Sequence, residues 1–240
     1  MLAGIEVANT HQFPATALNA GLATKQPVLN DNNKTVIRRM DERQTLFYEG
    51  DRARFACEIV SGVVKLYKLL PDGRRLITGF FFAGDIIGLA IDDTYACTAE
   101  AVTEAEVMFV PRSHLEAQMD VNPKFARRLL TAAFDELKTA REQMLLLGRK
   151  TPIEKVASFL LWIEQKAGPA RDGAVDLTMS RSDIADYLGL TVETVCRVMT
   201  RLKNEGAIRA SSARHLRITD RDHLEAYADG EEDAVAMKAA

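Results

Sequence analysis

The chain has 240 residues, three cysteines, one tryptophan and a formal net charge of −3. That length builds two domains or one large one, and the hydrophobic and charged fractions, 47% and 27%, exclude a disordered or fibrous chain. The net charge excludes a polycation, yet its distribution is uneven: residues 149–217 carry 12 basic and 8 acidic side chains, whereas residues 218–240 carry 2 and 7.

The N-terminal residues show no basic start followed by an apolar run. The longest apolar stretch, around Gly79 to Ile91, is interrupted by Asp85. Neither a secretory leader nor a membrane helix is therefore expected, and a cytoplasmic location is. Cys57, Cys97 and Cys196 are odd in number and widely spaced, matching neither a disulfide framework nor a zinc pattern.

Residues 1–34 mix Ala, Asn, Thr and Pro without a period and are expected to form a flexible N-terminal extension. Residues 35–118 are expected to form the next domain, with strands and turns from about Val36 to Pro111. Gln44–Gly50, Cys57–Ile59, Val63–Leu70, Leu76–Phe82 and Ala99–Val110 are strand-like runs. The turns between them include Ser61-Gly62, Pro71-Asp72-Gly73-Arg74 and Gly84-Asp85. Short strands at this spacing imply an antiparallel roll or barrel. Arg74 and Arg75, next to a turn, are expected to face solvent.

Pro111 to His114 is expected to lead into helix, and residues 119–148 read as the dimerisation helix, the run from Asn122-Pro123 to Leu147 holding no internal proline or glycine. Leu130, Leu137 and Met144 repeat every seven positions, with Ala133 or Phe134, Ala140 and Leu147 between them. Such a seam suits a helix packed on its twin. Gly148 is expected to end it, and Thr151-Pro152 to start the next helix across a hinge. Residues 149–222 hold an amphipathic helix with Val156, Phe159, Leu160 and Ile163, with Trp162 packed between it and a neighbour, then a loop over 168–173.

Two short helices around a glycine follow. Ile184, Ala185 and Leu188 give the first an apolar face, Gly189 stops it, and Thr191 caps the second, whose buried side is Val195, Val198, Met199 and Leu202. Val192, Glu193, Cys196 and Arg197 are left on the outer side, as in a helix-turn-helix that enters the major groove. Ala207–Arg209 and Leu216–Ile218 read as a hairpin wing around Ser211–Ala213. Residues 223–240 are expected to be an acidic tail, with a short helix at its start.

The run Val192-Glu193-Thr194-Val195-Cys196-Arg197, with Ser180-Arg181-Ser182-Asp183-Ile184-Ala185 before it, resembles the DNA-reading segment of the CRP/FNR family of bacterial transcription regulators. Glu49-Gly50-Asp51, Ser61-Gly62, Asp72-Gly73-Arg74 and Gly84-Asp85-Ile86-Ile87-Gly88 likewise resemble the family's cyclic-nucleotide-binding roll. The resemblance spans about residues 35–220. It implies an α+β protein with an N-terminal β-roll, a long dimerisation helix and a C-terminal winged helix-turn-helix. The implied partners are double-stranded DNA, a second copy of the chain and RNA polymerase.

Within that frame Glu193, Cys196, Arg197 and Val192 are the expected base-reading residues. Arginine donates twice to guanine, glutamate accepts from base amino groups, and valine suits a thymine methyl. Ser180, Arg181, Ser182, Thr191, Thr194 and Arg201 are the expected phosphate contacts. Val192 stands where FNR-type members carry valine, which implies a TTGAT-like half-site in an inverted repeat. Cys196 stands where the FNR branch has serine. It is either a packing substitute or a redox brake, since an oxidised thiol would set negative charge against DNA.

No cofactor is expected. No cysteine precedes Cys57, so the cluster ligands of oxygen-sensing FNR proteins are missing. Leu89–Ala99 contains no arginine, carries Asp92-Asp93, and has Cys97-Thr98 where nucleotide-binding members have Arg-Ser. A cyclic phosphate would lack its cation there. Of the four histidines only His114 lies near the roll, which argues against haem. No P-loop, nucleophile elbow or zinc motif marks an enzyme. The Asp72-Gly73-Arg74-Arg75 turn and the missing cluster resemble the FixK-like branch, which implies control of low-oxygen respiration or nitrogen-fixation genes. The competing reading is a regulator gated by an unidentified small molecule in the roll.

Overall fold

Strand formation in the first half follows side-chain alternation. In the computed structural model, which describes residues 35–89, 92–167, 174–212 and 214–231, two four-stranded antiparallel sheets face each other. One has the order β1 (Val36–Met40), β8 (Ala105–Pro111), β3 (Phe55–Ser61), β6 (Ile86–Ile87). The other has β2 (Thr45–Phe47), β7 (Thr98–Ala101), β4 (Val64–Leu69), β5 (Arg75–Phe81). Cys57, Ile59, Val107 and Phe109 point into the space between the sheets. Their neighbours Ala56, Met108 and Val110 point the other way, against Leu115 and Leu129 of the helices. Both faces of β8 are thus covered, which is why Val107-Met108-Phe109-Val110 is continuously apolar. The expected N-terminal extension, the loop at 168–173, Ala213 at the wing tip and the acidic end from residue 232 lie outside the described residues.

The single strand expected over Ala99–Val110 is two. β7 and β8 lie in different sheets and are separated by a corner at residues 102–104. The corner docks on the next turn: the Val102 N–H donates to Val63 O at 2.8 Å. Gly62, at φ +84°, has room only for hydrogen, since a Cβ would fall 2.3 Å from Glu104 O.

The helix expected from Pro111–His114 is α1 (Arg112–Val121), and the long run expected from Asn122-Pro123 is α2 (Pro123–Arg149), which starts later than residue 119. Asn122 separates them and caps α2 by accepting from the Phe125 N–H at 3.2 Å, and Pro123 takes the first helical position. Gly148 lies inside α2 instead of ending it. The side of α2 bearing Phe125 and Leu129 packs on the roll. Leu130, Phe134, Leu137 and Met144, at 56%, 61%, 45% and 71% exposure, form an uncovered apolar row. Leu147 departs from the expected seam. It is half-buried, and its Cδ2 reaches toward Gly189.

α3 (Pro152–Ala167), β9 (Val175–Asp176), α4 (Arg181–Leu188), α5 (Val192–Asn204), β10 (Ile208–Ala210), β11 (His215–Ile218) and α6 (Arg221–Asp229) build the second half. Its core joins Val156, Phe159, Leu160 and Ile163 of α3 to Ile184 and Leu188 of α4 and to Val195 and Leu202 of α5. Burying each such side chain stabilises by about 1.5–3 kcal/mol before conformational entropy is counted. The boundary expected at residue 222 falls inside α6. Leu224, Tyr227 and Ala228 belong to this core, so the segment expected as the start of a tail is part of the domain. Trp162 stacks on Tyr187 of α4 at 5.8 Å and meets Phe82 of the roll at 6.0 Å, so it packs against both its own domain and the other. Among the described residues, no helix is long and apolar enough to cross a membrane.

Candidate nucleic-acid interface

The helix-turn-helix is fixed by caps. Ser180 and Asp183 form a reciprocal capping box on α4: the Asp183 N–H donates to Ser180 Oγ (3.0 Å) and the Ser180 N–H to Asp183 Oδ2 (3.3 Å), while the Ser180 hydroxyl also donates to that oxygen (2.6 Å). Gly189 ends α4 at φ +62°, and a Cβ there would lie 3.3 Å from Leu147 Cδ2. Thr191 caps α5 by accepting from the Thr194 N–H at 3.2 Å. Val195, Val198, Met199 and Leu202 are buried, and Val192, Glu193, Cys196 and Arg197 are exposed. The 3.6-residue period places these four on one open face.

Each exposed group is suited to recognition in a different way. The Glu193 carboxyl lies at the N-terminus of α5. Its own backbone N–H and the Thr191 hydroxyl hold it below the usual glutamate range, so it stays an acceptor. The Arg197 guanidinium donates to Thr194 Oγ1 at 3.3 Å, one turn back, rather than to Glu193. Cys196 is an exposed thiol, in contrast to Cys57, which is fully buried and whose thiol burial pushes up to about 12.

The expected phosphate contacts divide. Thr191 and Ser182 are exposed near the helix N-termini, and Thr194 and Arg181 are half-buried beside them. Ser180 is exposed, but its hydroxyl is committed to the cap. Arg201 is exposed and also engaged within the fold. Its guanidinium donates to Glu205 Oε1 (2.9 Å) and to the Tyr227 hydroxyl (3.0 Å), tying α5 to α6. Sequence reasoning passed over Arg209 and Arg217. They are exposed and directly opposite each other in the wing. Alternation with Ile208, Leu216 and Ile218 was the signal that would have placed them.

In the roll, Tyr95 stacks on Phe47 at 3.8 Å and Cys97 Sγ faces Thr78 Oγ1 at 3.9 Å. Residues 90 and 91 of the segment compared with the nucleotide site lie outside the described ones. A cleft of about 970 Å³ opens between the roll, α2 and α3, with Lys124, Arg127, Arg128 and Lys166 on its walls. Among the described residues, no three His, Cys, Asp or Glu side chains gather as metal ligands. Arg74 is exposed and held by Asp72. Arg75, expected to face solvent, instead turns inward and pairs with Asp183 and Asp186 of α4.

Comparison with known proteins accords with this geometry. Residues 37–122 match the cyclic nucleotide-binding domain family, and residues 154–227 match the Crp-like helix-turn-helix domain family. A probable transcriptional activator of Rhizobium leguminosarum bv. viciae is 39% identical over 92% of this chain and 93% of its own length. The nitrogen fixation regulation protein FixK of Azorhizobium caulinodans is 44% identical over 69% of this chain and 68% of its own. The solved structure of FixK2 from Bradyrhizobium japonicum superposes with a TM-score of 0.76 at 38% identity, covering 80% of this chain and 96% of that one. The chain belongs to the CRP/FNR family of DNA-binding transcription regulators, in its FixK-like branch.

Proposed function

We propose that the chain is an activator that works as a homodimer on an inverted repeat of TTGAT-like half-sites, without an iron–sulfur cluster, haem or cyclic nucleotide. The observation that carries this reading is the open α5 face of Val192, Glu193, Cys196 and Arg197 on a helix capped at its N-terminus. The exposed row Leu130, Phe134, Leu137 and Met144 supplies an apolar seam for pairing two α2 helices. It uses Phe134, and Leu147 stands apart from it. Ala133 and Ala140 are exposed on the same helix and small enough to allow close approach. Two reading helices related by a two-fold axis then enter successive major grooves about one helical turn apart. Ser182, Arg181, Thr191 and Thr194 would hold phosphates, with Arg209 and Arg217 of the wing beside them. By likeness to the FixK relatives, the regulated genes serve low-oxygen respiration or nitrogen fixation, and the protein acts in the cytoplasm with RNA polymerase.

The test is titration of the purified, reduced protein on a TTGAT-N4-ATCAA duplex, with and without cAMP, at two salt concentrations. Tight specific binding without ligand is expected, and dependence on cAMP would overturn the ligand-free reading. Peroxide is expected to weaken binding of the wild type and spare Cys196→Ser. Equal inhibition of both would remove the redox role of Cys196. The cleft beside the roll, lined by Lys124, Arg127, Arg128 and Lys166 together with Asp85, Asp135 and Glu136, favours a second reading, in which a small polar effector gates DNA binding. DNA affinity that appears only after a cell-extract small-molecule fraction is added would select that reading.

A further inference from the structure

The turn between α2 and α3 is short, with Lys150 and Thr151 between the helix ends. Two residues of connection leave the reading domain able to pivot unless something else holds it. The contact between the two halves contains that holding device. Lys65 of β4, only 5% exposed at its side chain, lies 2.9 Å from Glu100 of β7 and 2.8 Å from Asp183 of α4. Arg75 of β5 reaches the same Asp183 oxygen at 3.0 Å and Asp186 at 2.8 Å, and its guanidinium lies over the Tyr67 ring. Asp183 therefore divides its carboxylate: Oδ2 caps α4 through Ser180, while Oδ1 receives two cations from the roll.

Two further contacts close around this cluster. Gln143 of α2 is buried and donates to Ile77 O of the roll (3.1 Å) and to Tyr187 O of α4 (3.4 Å), so three elements meet at one amide. Phe80 of β5 packs on Tyr187 at 5.2 Å and on Phe159 at 6.4 Å. The α4 residues in these contacts are Asp183, Asp186 and Tyr187, while Val192, Glu193, Cys196 and Arg197 of α5 take no part in them and stay exposed.

A partly buried ion cluster contributes less to net stability than a well-packed apolar contact of the same size. What it supplies is directionality, because each charge is satisfied in one arrangement only. We propose that Lys65, Arg75, Asp183 and Asp186 are positioning residues that lock the reading domain onto the roll, setting the orientation of α5 for two half-sites at a fixed spacing. This rests on the dimeric DNA-reading function proposed above. With one head bound, the second head's effective concentration at its half-site depends on how narrowly its orientation is confined. Loosening the lock leaves each head's own contacts intact and lowers the gain from having two.

The experiment compares full-length wild type, Arg75→Gln, Asp186→Asn and Arg75→Lys on three duplexes. One carries the inverted repeat, one carries the repeat with two extra spacer base pairs, and one carries a single half-site. Arg75→Gln and Asp186→Asn are expected to bind the inverted repeat about tenfold more weakly, to bind the single half-site as wild type does, and to discriminate less between the two spacings. Arg75→Lys, which retains the charge, is expected to return toward wild type. Equal losses on the repeat and on the half-site would mean general damage and overturn the proposal, as would wild-type gain from the second half-site in both neutral variants. Tighter binding by the variants would overturn it as well, by making the cluster a brake. A wild type that gains nothing from the second half-site removes the dimeric reading itself, and the lock's role with it.

Discussion

The two faces of the helix-turn-helix treat charge in opposite ways. On the α5 face, Glu193 and Arg197 stand in solvent, and the arginine's hydrogen bond to Thr194, one turn away, is long and exposed. On the α4 face, Asp183 is buried and each of its oxygens has a partner. A side chain that exchanges water for protein partners on folding serves the fold. One that keeps its donors toward solvent is available to an incoming ligand at low cost. Residue type does not distinguish these roles, since both faces present acids and arginines. Arg201 lies between the two cases: it belongs to the recognition helix, yet Glu205 and Tyr227 engage its guanidinium.

That contrast yields tests on each side. The largest effect is expected for Arg197→Ala, which should cost about 1–3 kcal/mol of discrimination at one base pair of the half-site. The melting temperature should stay near that of wild type, because only the exposed hydrogen bond to Thr194 is lost from the folded chain. Binding titrations against matched and mismatched duplexes, with a thermal melt in parallel, check both halves. A large fall in melting temperature would move Arg197 to the structural side of the comparison. Next is Gly189→Ala at the joint between the faces. A left-handed backbone costs a side-chain-bearing residue about 1–2 kcal/mol, and here Leu147 must also give way. Stability and DNA affinity should fall together, as chemical denaturation and the same titration would reveal.

The smallest effect is a pH dependence. Burial pushes the Asp183 carboxyl up, but Lys65, the Ser180 hydroxyl and Arg75 outweigh it and hold the group below its ordinary value of 3.8. A lowered folded-state value means that its contribution is complete above the ordinary aspartate value and is lost as pH falls through the folded one. Glu100 and Asp186 face the same cations. Melts taken between pH 7 and pH 3 should therefore fall more steeply for wild type than for Asp183→Asn. Parallel curves would show that Asp183 contributes nothing to the acid sensitivity.

Much of this protein was legible without coordinates because its signals are local. Capping residues, the glycine after Leu188 and the period of Val195, Val198, Met199 and Leu202 define the helix-turn-helix within about twenty residues, and each of those preferences acts over a single turn. The strands and turns of the roll were legible for the same reason, as was the family. The tertiary structure decided what depends on elements distant in sequence. Ala99–Val110 divides between two sheets because its corner must dock on Gly62 and Val63. Leu147 turns toward Gly189 rather than joining the seam, because the helix-turn-helix packs under the end of α2. Arg75 is basic, beside a tight turn, and by every local rule a surface residue. Only the docking of α4 on β5 places two aspartates against it, and a partner more than a hundred residues away leaves no trace in local pattern.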